Sequence, residues 1–296
     1  MSTLLLDTDI GSDLDDALAL TAILGSPNIE LAGITTVYGD TTVRAGIAAR
    51  LCELAGWSGP IVPGIRTPKS GREVWWAGFE GTNFDSLESP LIRGDLDAAS
   101  FLAQRVAAAE GELDVLAIGP LTNIAAAIEL DPLFAGNVRH LYVMGGQFGV
   151  DAIEHNFKCD VDAARVVFAS GIRCTVTGLE ATSSVRLEAE DFNNIESAGP
   201  LGAVLKREIA SFLGYTGRDW SSPHDPMSLL PLLHDDHFEY STGTIEIGLE
   251  PADPGRSVLR PQNDGNARIV SGWDGEWVRA TVRDLVLAGC RTSRPT

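Results

Sequence analysis

Short apolar runs alternate with helical patterns along the first half of the chain, and this alternation is the feature that most limits its fold. Runs typical of buried strands lie near 3–7, 31–37, 61–63, 114–118 and 140–144. Segments of helical periodicity separate them at 15–25, 42–55, 97–110 and 122–130. Because crossovers between parallel strands are right-handed, this order predicts an α/β fold with an open, mostly parallel sheet flanked by helices. Functional residues are then expected at the carboxyl ends of the strands.

The second half of the chain continues this pattern less regularly. It contains a strand-like RCTVT at 173–177, helical segments around 187–196 and 200–213, two strand-like stretches and a last helix near 277–288. No shift in composition marks a boundary, so we expect one domain over residues 1–296. Segment 64–96 is rich in Gly, Trp and charge and is too long for an ordinary loop, which favours a lid or recognition loop.

The charge of the chain excludes several kinds of partner. The 296 residues are 44% hydrophobic, enough for a large core, but they carry a net charge of −19, with 22 basic residues spread along the sequence. Nucleic acids and anionic membranes are therefore not expected to bind, since both attract clustered Lys and Arg. The four cysteines form no CxxC pair, and the sequence shows neither a secretion signal nor a run of about 20 apolar residues. We expect a cytoplasmic protein with reduced thiols.

The stretch LLLDTDIGSDLDDALAL, residues 4–20, gathers five aspartates between two apolar segments. Helix capping accounts for Asp13, Asp15 and Asp16, because acids favour the amino end of a helix. It does not account for Asp7 and Asp9, which share one side of a strand end. Two carboxylates about 4 Å apart repel by about 4 kcal/mol at an effective dielectric of about 20. The stretch therefore favours a bound hard cation or a proton-transfer site.

Two further segments carry residues able to do chemistry. In SSPHDPMSLL, Asp225 and Pro226 are explained by the start of a helix, or Asp225 binds a metal and His224 transfers a proton. Both interpretations stay open. Glu154 and Asn156 follow a glycine-rich strand end, where they lie in a solvated loop or hold sugar hydroxyls.

Several metal and nucleotide motifs do not fit. A Ca²⁺-binding EF-hand loop that begins at Asp7 fails, since its fifth position is Gly11 and its sixth is Ser12. A DxD-type, Mg²⁺-dependent phosphatase also opens with paired aspartates after its first strand, but that family usually has Thr or Val where this chain has Gly11, and no convincing later acidic pair follows. The segment MGGQFG at 144–149 lacks the GxGxxG spacing of dinucleotide-binding loops.

Six motifs in order resemble those of the inosine–uridine-preferring nucleoside hydrolases. They are DTDIGSDLDDALAL, GITTVYGD, AIGPLTNIA, VMGG, EHNF.CD..AA and HDP, and they span roughly residues 3–230. The resemblance implies a nucleoside hydrolase-like α/β fold and hydrolysis of a ribonucleoside to ribose and free base. It also implies a Ca²⁺ cofactor, a role in purine or pyrimidine salvage, and a homodimer or homotetramer.

The same resemblance implies a role for individual residues. The Ca²⁺ ligands would be Asp9, Asp16, the backbone carbonyl of Thr122, and Asp225. Asp9 would take a proton from a Ca²⁺-bound water that attacks C1′, and His224 would assist the departing base. The groups that hold the ribose hydroxyls would be Asp15, Glu154 and Asn156.

Three positions depart from the family pattern, and they affect mainly the side of the site that holds the base. Asp40 stands where the family commonly has Asn, which places a charge near the ribose. Ala77 stands where many members have a His that contacts the base, and Phe148 or Val150 replaces a common Asn. We therefore expect an unusual nucleoside as substrate. Candidates to stack against its base are Trp75, Trp76 and Phe79, although the two tryptophans are equally explained by packing of the loop.

Two other functions remain open at this stage. The same fold would also serve a non-catalytic protein that binds nucleoside or ribose, and only turnover distinguishes this from an enzyme. The phosphatase alternative predicts Mg²⁺ dependence and phosphate release. A basic cluster near the acidic motif is not evident, since Lys69, Arg72 and Lys158 are the only nearby candidates, and this argues against a nucleotide substrate.

Overall fold

A computed structural model describes residues 1–150, 152–248 and 254–292. The strands are β1 (Ser2–Thr8), β2 (Ile29–Thr36), β3 (Ile61–Pro63), β4 (Leu113–Ala117), β5 (His140–Met144), β6 (Cys174–Thr177), β7 (Leu187–Glu188), β8 (Trp220–Ser221), β9 (Phe238–Ile247), β10 (Ser257–Pro261) and β11 (Ala267–Trp273). The helices are α1 (Asp15–Gly25), α2 (Thr41–Leu54), α3 (Ala98–Ala108), α4 (Thr122–Leu130), α5 (Phe134–Asn137), α6 (His155–Cys159), α7 (Val161–Ala169), α8 (Leu179–Thr182), α9 (Pro200–Thr216), α10 (His224–Leu233) and α11 (Gly275–Arg291).

One nine-stranded sheet organises the fold, in the order β10-β9-β11-β6-β5-β4-β1-β2-β3. In this order, the strands β11, β6, β5, β4, β1, β2 and β3 each pair in parallel with their neighbours in that series. Beyond β11, β9 and β10 extend the sheet in antiparallel pairs. The predicted α/β fold, an open and mostly parallel sheet flanked by helices, is confirmed.

Helices cover both faces of this sheet. Successive side chains of β1 point to opposite faces, so Leu4 and Leu6 join one buried apolar cluster and Leu5 joins another. The first cluster contains residues of α1, α2, α9, α10 and α11, and the second contains residues of α3, α4 and α7. Burying each of these leucines stabilises the fold by about 1.5–3 kcal/mol. Among the described helices, none is long and apolar enough to cross a membrane.

The prediction of a helix around 187–196 is wrong. This segment contains β7 and two short 3₁₀ turns, Ala189–Phe192 and Glu196–Ala198. Asn194 has a left-handed backbone with φ of 67°, which interrupts any helix through this region. Asp191 accepts a hydrogen bond from the Glu188 N–H at 2.8 Å, which favours a turn. The C-terminal region also has three strands where the sequence indicated two.

Segment 64–96 forms neither a helix nor a regular strand, apart from an isolated bridge between Ile92 and Ile61. It is tied down at several points along its length. The Ile65 N–H donates to Asn123 Oδ1 at 3.0 Å, and the Trp75 N–H donates to the Tyr38 hydroxyl at 2.8 Å. These bonds hold the segment against the carboxyl ends of the strands.

The order of the strands reverses at β1. The chain passes from β1 to β2 and β3 on one side, and then returns to β4, β5 and β6 on the other. In open parallel sheets, the crevice at such a reversal is where ligands bind. The crevice here lies between the carboxyl ends of β1 and β4.

Candidate active site

A cavity of about 790 Å³ opens at the carboxyl ends of the strands. Its walls come from the segments that follow β1, β2, β4, β5 and β6 and from the first turns of α6 and α10. The lining includes Asp9, Asp13, Asp15, Asp16, Tyr38, Arg72, Trp75, Ile118, Met144, Glu154, His155, Asn156, Lys158, Cys159, His224 and Asp225. The structure thus brings together the aspartate stretch, the Glu154 segment and the HDP segment.

Three buried carboxylates form the deepest polar part of the cavity. Asp15 and Asp16 begin α1, Asp225 lies in the first turn of α10, and one oxygen of each lies within 4.8 Å of the others. Burial raises the pKa of each, and repulsion from the neighbouring aspartates raises it further. A hard divalent cation with oxygen ligands would offset both costs. The residues present therefore fit a Ca²⁺ site.

Asp9 lies beside this trio at the end of β1 and is only partly buried. Burial raises the pKa of its carboxyl, and the Arg44 guanidinium opposes that shift. Arg44 is fully buried in α2 and donates to the backbone carbonyl of Asp9 and, at 2.9 Å, to that of Ile10. It also donates to Ser12 Oγ at 3.2 Å, so one side chain fixes the backbone of the aspartate loop.

Gly119 allows the ends of β1 and β4 to approach each other. A Cβ atom at this position would lie 2.7 Å from Asp9 Oδ1 and 2.9 Å from Val37 Cγ1. Distances this short are not tolerated, so only glycine leaves Asp9 in its present position.

Glu154 and Asn156 form the wall next to β4 and β5. Glu154 caps α6 and accepts from the N–H groups of Asn156 at 2.6 Å, Phe157 at 3.0 Å and Gly146 at 3.0 Å. Burial raises the pKa of Glu154, which these hydrogen bonds partly oppose. Asn156 Nδ2 donates to the Ile118 carbonyl at 3.0 Å and so is held between the two strand ends.

His224 begins α10 on the opposite wall. Its Nδ1 is hydrogen-bonded to Thr182 Oγ1 at 2.7 Å, which leaves Nε2 for the cavity. Burial, together with the nearby Arg218, lowers the pKa of His224 to about 4. The imidazole is therefore neutral at pH 7, and its hydrogen bond to Thr182 orients the ring.

Asp40 and Thr122 do not line the cavity. Asp40 caps α2, accepting from Val43 N–H at 3.3 Å, and pairs with Arg66 at 2.8 Å. The left-handed residues Tyr38 and Gly39, with φ of 67° and 74°, turn the chain before Asp40. The Thr122 hydroxyl donates to Asp160 Oδ2 at 2.7 Å.

Trp76 and Phe79 also lie outside the cavity lining. Trp76 packs on the guanidinium of Arg44, 4.9 Å from its ring centre, and Phe79 packs on Tyr215 with ring centres 5.2 Å apart. Both therefore anchor segment 64–96 to the body of the protein. Trp75 lines the cavity and is 44% exposed.

An aromatic wall consists of Tyr38, His155 and Trp75, and of these three residues the sequence singled out Trp75 alone. The His155 ring lies edge-on to both others, with ring centres 5.8 Å from Trp75 and 6.5 Å from Tyr38. Cys159 Sγ is 3.3 Å from the Tyr38 hydroxyl and 3.4 Å from His155 Nε2. Tyr38 directly follows the segment expected as a strand at 31–37, so its place at a strand end was the available signal.

Comparison with known proteins agrees with this geometry. A sequence profile described as "Inosine-uridine preferring nucleoside hydrolase" matches residues 4–280. A probable uridine nucleosidase 1 of Oryza sativa subsp. japonica is 31% identical over 278 residues, which cover 86% of this chain and 84% of the relative. A non-specific ribonucleoside hydrolase of Salmonella typhi is 30% identical over 275 residues, covering 83% and 88% of the two chains.

Solved structures share the fold. A plant nucleoside hydrolase superimposes with a TM-score of 0.86 at 25% identity, over 96% of this chain and 98% of the other. A purine-preferring ribonucleoside hydrolase from Gardnerella vaginalis superimposes with a TM-score of 0.89 at 23% identity, over 98% and 99%. The likeness extends over nearly the whole length of each chain.

Proposed function

This chain belongs to the family of inosine-uridine preferring nucleoside hydrolases, and from that membership we propose that it is a Ca²⁺-dependent enzyme of ribonucleoside hydrolysis. The reaction breaks the N-glycosidic bond and gives ribose and free base. The observation that carries the proposal is the trio of buried carboxylates at the reversal of the sheet, with Asp9 and His224 in the same cavity.

We propose that the cation is held by Asp9, Asp16, Asp225 and the Thr122 carbonyl, the ligands that the family resemblance implies, and that Asp15 lies beside them in the same group of buried acids. Bound there, Ca²⁺ would neutralise the carboxylates, hold ribose hydroxyls and lower the pKa of a coordinated water. The trio supports this assignment because a cation would offset the burial and mutual repulsion that raise the pKa values of these acids.

The protein side chains would divide the remaining work. Asp9 takes one proton from the attacking water, whose oxygen forms the new bond to C1′. The electron pair of the broken C1′–N bond leaves with the base, which takes a proton from solvent water, and Nε2 of the neutral His224 hydrogen-bonds to the base as it departs. Asp15, Glu154 and Asn156 would bind the ribose hydroxyls, and the carboxylates would stabilise the positive charge on the sugar ring.

The base would lie on the side of His224. Trp75 lines the cavity and is a candidate to stack on the base, whereas Trp76 and Phe79 would need segment 64–96 to move. Asp40 would also need such a movement, because it is now paired with Arg66.

We further propose a cytoplasmic location and a homodimer or homotetramer built from a single domain. The four cysteines are free and buried, which supports a reducing compartment. The oligomeric state follows from the family resemblance alone.

The test is release of free ribose from a panel of purine, pyrimidine and modified ribonucleosides, with and without a chelator. We expect Ca²⁺-dependent release from at least one member, and an Asp9→Asn variant that folds but loses turnover by about a hundredfold or more. The exposed Asp95→Asn serves as the matched control, because Asp95 pairs with Arg93 at the surface and does not line the cavity.

Other outcomes would contradict the proposal. If nucleosides bind but no ribose appears, the protein is a binding protein on the same fold. Phosphate release that depends on Mg²⁺ would indicate the phosphatase alternative. Full turnover by Asp9→Asn would remove that residue from the mechanism.

A further inference from the structure

Asp160 is a fully buried carboxylate at the junction of α6 and α7, outside the cavity lining. It caps α7 by accepting from the Ala163 N–H at 3.2 Å. A cap needs only this bond, and an exposed acid provides it at the start of α3, where Asp97 accepts from a backbone N–H at 2.8 Å. Burying a carboxylate is costly, and in the part of the chain that the structure describes Asp160 forms no ion pair. Helix capping therefore does not account for its burial.

Three further hydrogen bonds connect Asp160 to two other parts of the chain. Its Oδ2 accepts from the Thr122 hydroxyl and from the Lys69 N–H, both at 2.7 Å. Its Oδ1 accepts from the Ser70 N–H at 3.0 Å in addition to the capping bond. A carboxylate offers about four acceptor sites, so this side chain is fully used. One buried carboxylate thus joins the first turn of α4 to segment 64–96.

Asn123, the next residue of α4, holds the beginning of the same segment. Its Oδ1 accepts from the Ile65 N–H at 3.0 Å, and its Nδ2 donates to Asp7 Oδ1 at 2.7 Å. Asn123 is fully buried, so water does not compete for these bonds. The first two residues of α4 therefore anchor segment 64–96 at two points, and one of these anchors also reaches the end of β1.

Both sides of the Asp160 connection lead to the cavity. Thr122 has the backbone carbonyl that the proposed function assigns to the cation. Its hydroxyl bond to Asp160 fixes the orientation of the whole residue, because a β-branched side chain is stiff. On the other side, Arg72 and Trp75 follow Ser70 within five residues and line the cavity. A displacement on either side would therefore reach the other through Asp160.

We propose that Asp160 is a positioning residue that couples cation binding to the anchoring of segment 64–96 beside the cavity. This inference rests on the proposed function, since it takes the Thr122 carbonyl as a cation ligand. Such coupling is reciprocal: if the anchored segment raises the affinity for the cation, the bound cation stabilises the anchored segment by the same factor. Loss of the Asp160 carboxylate should therefore weaken cation binding and release the segment together.

Asp160→Asn tests the coupling, because the amide keeps the size of the side chain but replaces one acceptor oxygen by a donor. In calorimetry, the Kd for Ca²⁺ should be about tenfold or more higher than in the wild type. Hydrogen–deuterium exchange of residues 66–76, in Ca²⁺ and in chelator, follows the segment. In the wild type Ca²⁺ should slow this exchange by about tenfold, and in Asp160→Asn it should slow it little. The matched control is Asp97→Asn, which removes the exposed cap of α3 and should match the wild type in both measurements.

Thr122→Val tests the metal side of the connection alone. It removes the hydroxyl and leaves the backbone donors of Lys69 and Ser70 to Asp160 in place. In chelator the segment of this variant should exchange at close to the wild-type rate, whereas Ca²⁺ binding should weaken by about tenfold. Thr122→Ser keeps a hydroxyl and should recover most of the lost affinity. This pair decides the question even where Asp160→Asn does not fold, which thermal unfolding shows.

The outcomes separate this inference from the proposed function. A folded Asp160→Asn with the wild-type Kd for Ca²⁺, or equal slowing of exchange by Ca²⁺ in both proteins, overturns the inference alone. If Ca²⁺ binds but no nucleoside is hydrolysed, the proposed hydrolysis fails, and both measurements still decide the coupling because neither needs turnover. A wild type that binds no Ca²⁺ overturns the metal site and this inference together.

Discussion

At the scale of single residues, burial decides the state of each functional group. Asp15, Asp16 and Asp225 are buried together, so burial and the repulsion between neighbouring aspartates raise the pKa of each carboxyl group. His224 is buried as well, and its lowered pKa keeps the ring neutral. A neutral imidazole needs a partner that orients it, and here this partner is the hydroxyl of Thr182.

Thr182→Val should lower kcat by about tenfold while changing KM little, because the imidazole loses the bond that orients it. Thr182→Ser keeps a hydroxyl at the same position and should restore most of the activity. Steady-state kinetics on the best nucleoside of the panel measures both variants. Equal loss in the valine and serine variants would show that packing, and not the hydroxyl, is what matters.

The imidazole of His140 leads to a prediction of how the stability of the fold depends on pH. Arg268 Nε donates to Thr175 Oγ1 at 2.7 Å, so the hydroxyl hydrogen is left for His140 Nε2, also at 2.7 Å. Burial and Arg268 lower the pKa of His140 from 6.5 to about 4. Because the folded value lies below the unfolded one, His140 stabilises the fold above pH 6.5 and loses this contribution as the pH falls towards about 4.

Between pH 6.5 and about 4, the free energy of unfolding should therefore fall less in His140→Gln than in the wild type, by up to about 3 kcal/mol. Urea unfolding at neutral pH and near the lower end of the window measures the effect. The exposed His237→Gln is the control, and identical curves for the wild type and His140→Gln would contradict the assignment.

At the scale of elements, the site is formed by strand ends that lie too close together for a side chain to fit between them. Asp9 after β1 and Ile118 after β4 lie at neighbouring strand ends, and Gly119 gives Asp9 its room. The sequence predicted these strand ends, because the apolar runs stop there. It did not predict that Tyr38, at the end of β2, faces His155 from α6.

Gly119→Ala should lower turnover by about tenfold or more, because the new methyl group displaces the Asp9 carboxylate from its position. The matched control is Gly136→Ala in α5, where a Cβ meets nothing within 4 Å. Ribose release and thermal unfolding are measured for both variants. Wild-type turnover in Gly119→Ala would show that Asp9 tolerates the shift.

At the scale of the whole molecule, the carboxylate trio links two helices that are far apart in sequence. Asp15 and Asp16 lie on α1, and Asp225 lies on α10, which packs against α1. A cation that binds only the folded protein stabilises it by about 2.7 kcal/mol at a concentration of about 100 times its Kd. Without the cation, the same carboxylates repel each other.

Asp225→Asn should therefore have opposite effects with and without metal. In chelator, the variant should unfold at a higher temperature than the wild type, since one buried repulsion is gone. In saturating Ca²⁺ the wild type should gain roughly 5 °C, and the variant should gain much less. Equal gains in the two proteins would remove Asp225 from the metal site.

The sequence alone determined the elements and the kind of chemistry. Apolar periodicity depends on neighbours in the chain, so α1, β3, α4 and β5 were predicted at their observed bounds. The six ordered motifs led to the nucleoside hydrolase family in the same way.

Only the tertiary structure decided which residues share the cavity. It grouped Asp15 with Asp16 and Asp225, turned Asp40 towards Arg66, and placed Trp76 on Arg44. It also brought Arg72 and Lys158, which are 86 positions apart, to the lining of the same cavity. The physical reason is that distances across a fold depend on strand order and loop anchors, such as the bonds of Lys69 and Ser70 to Asp160, and local sequence pattern carries no information about them.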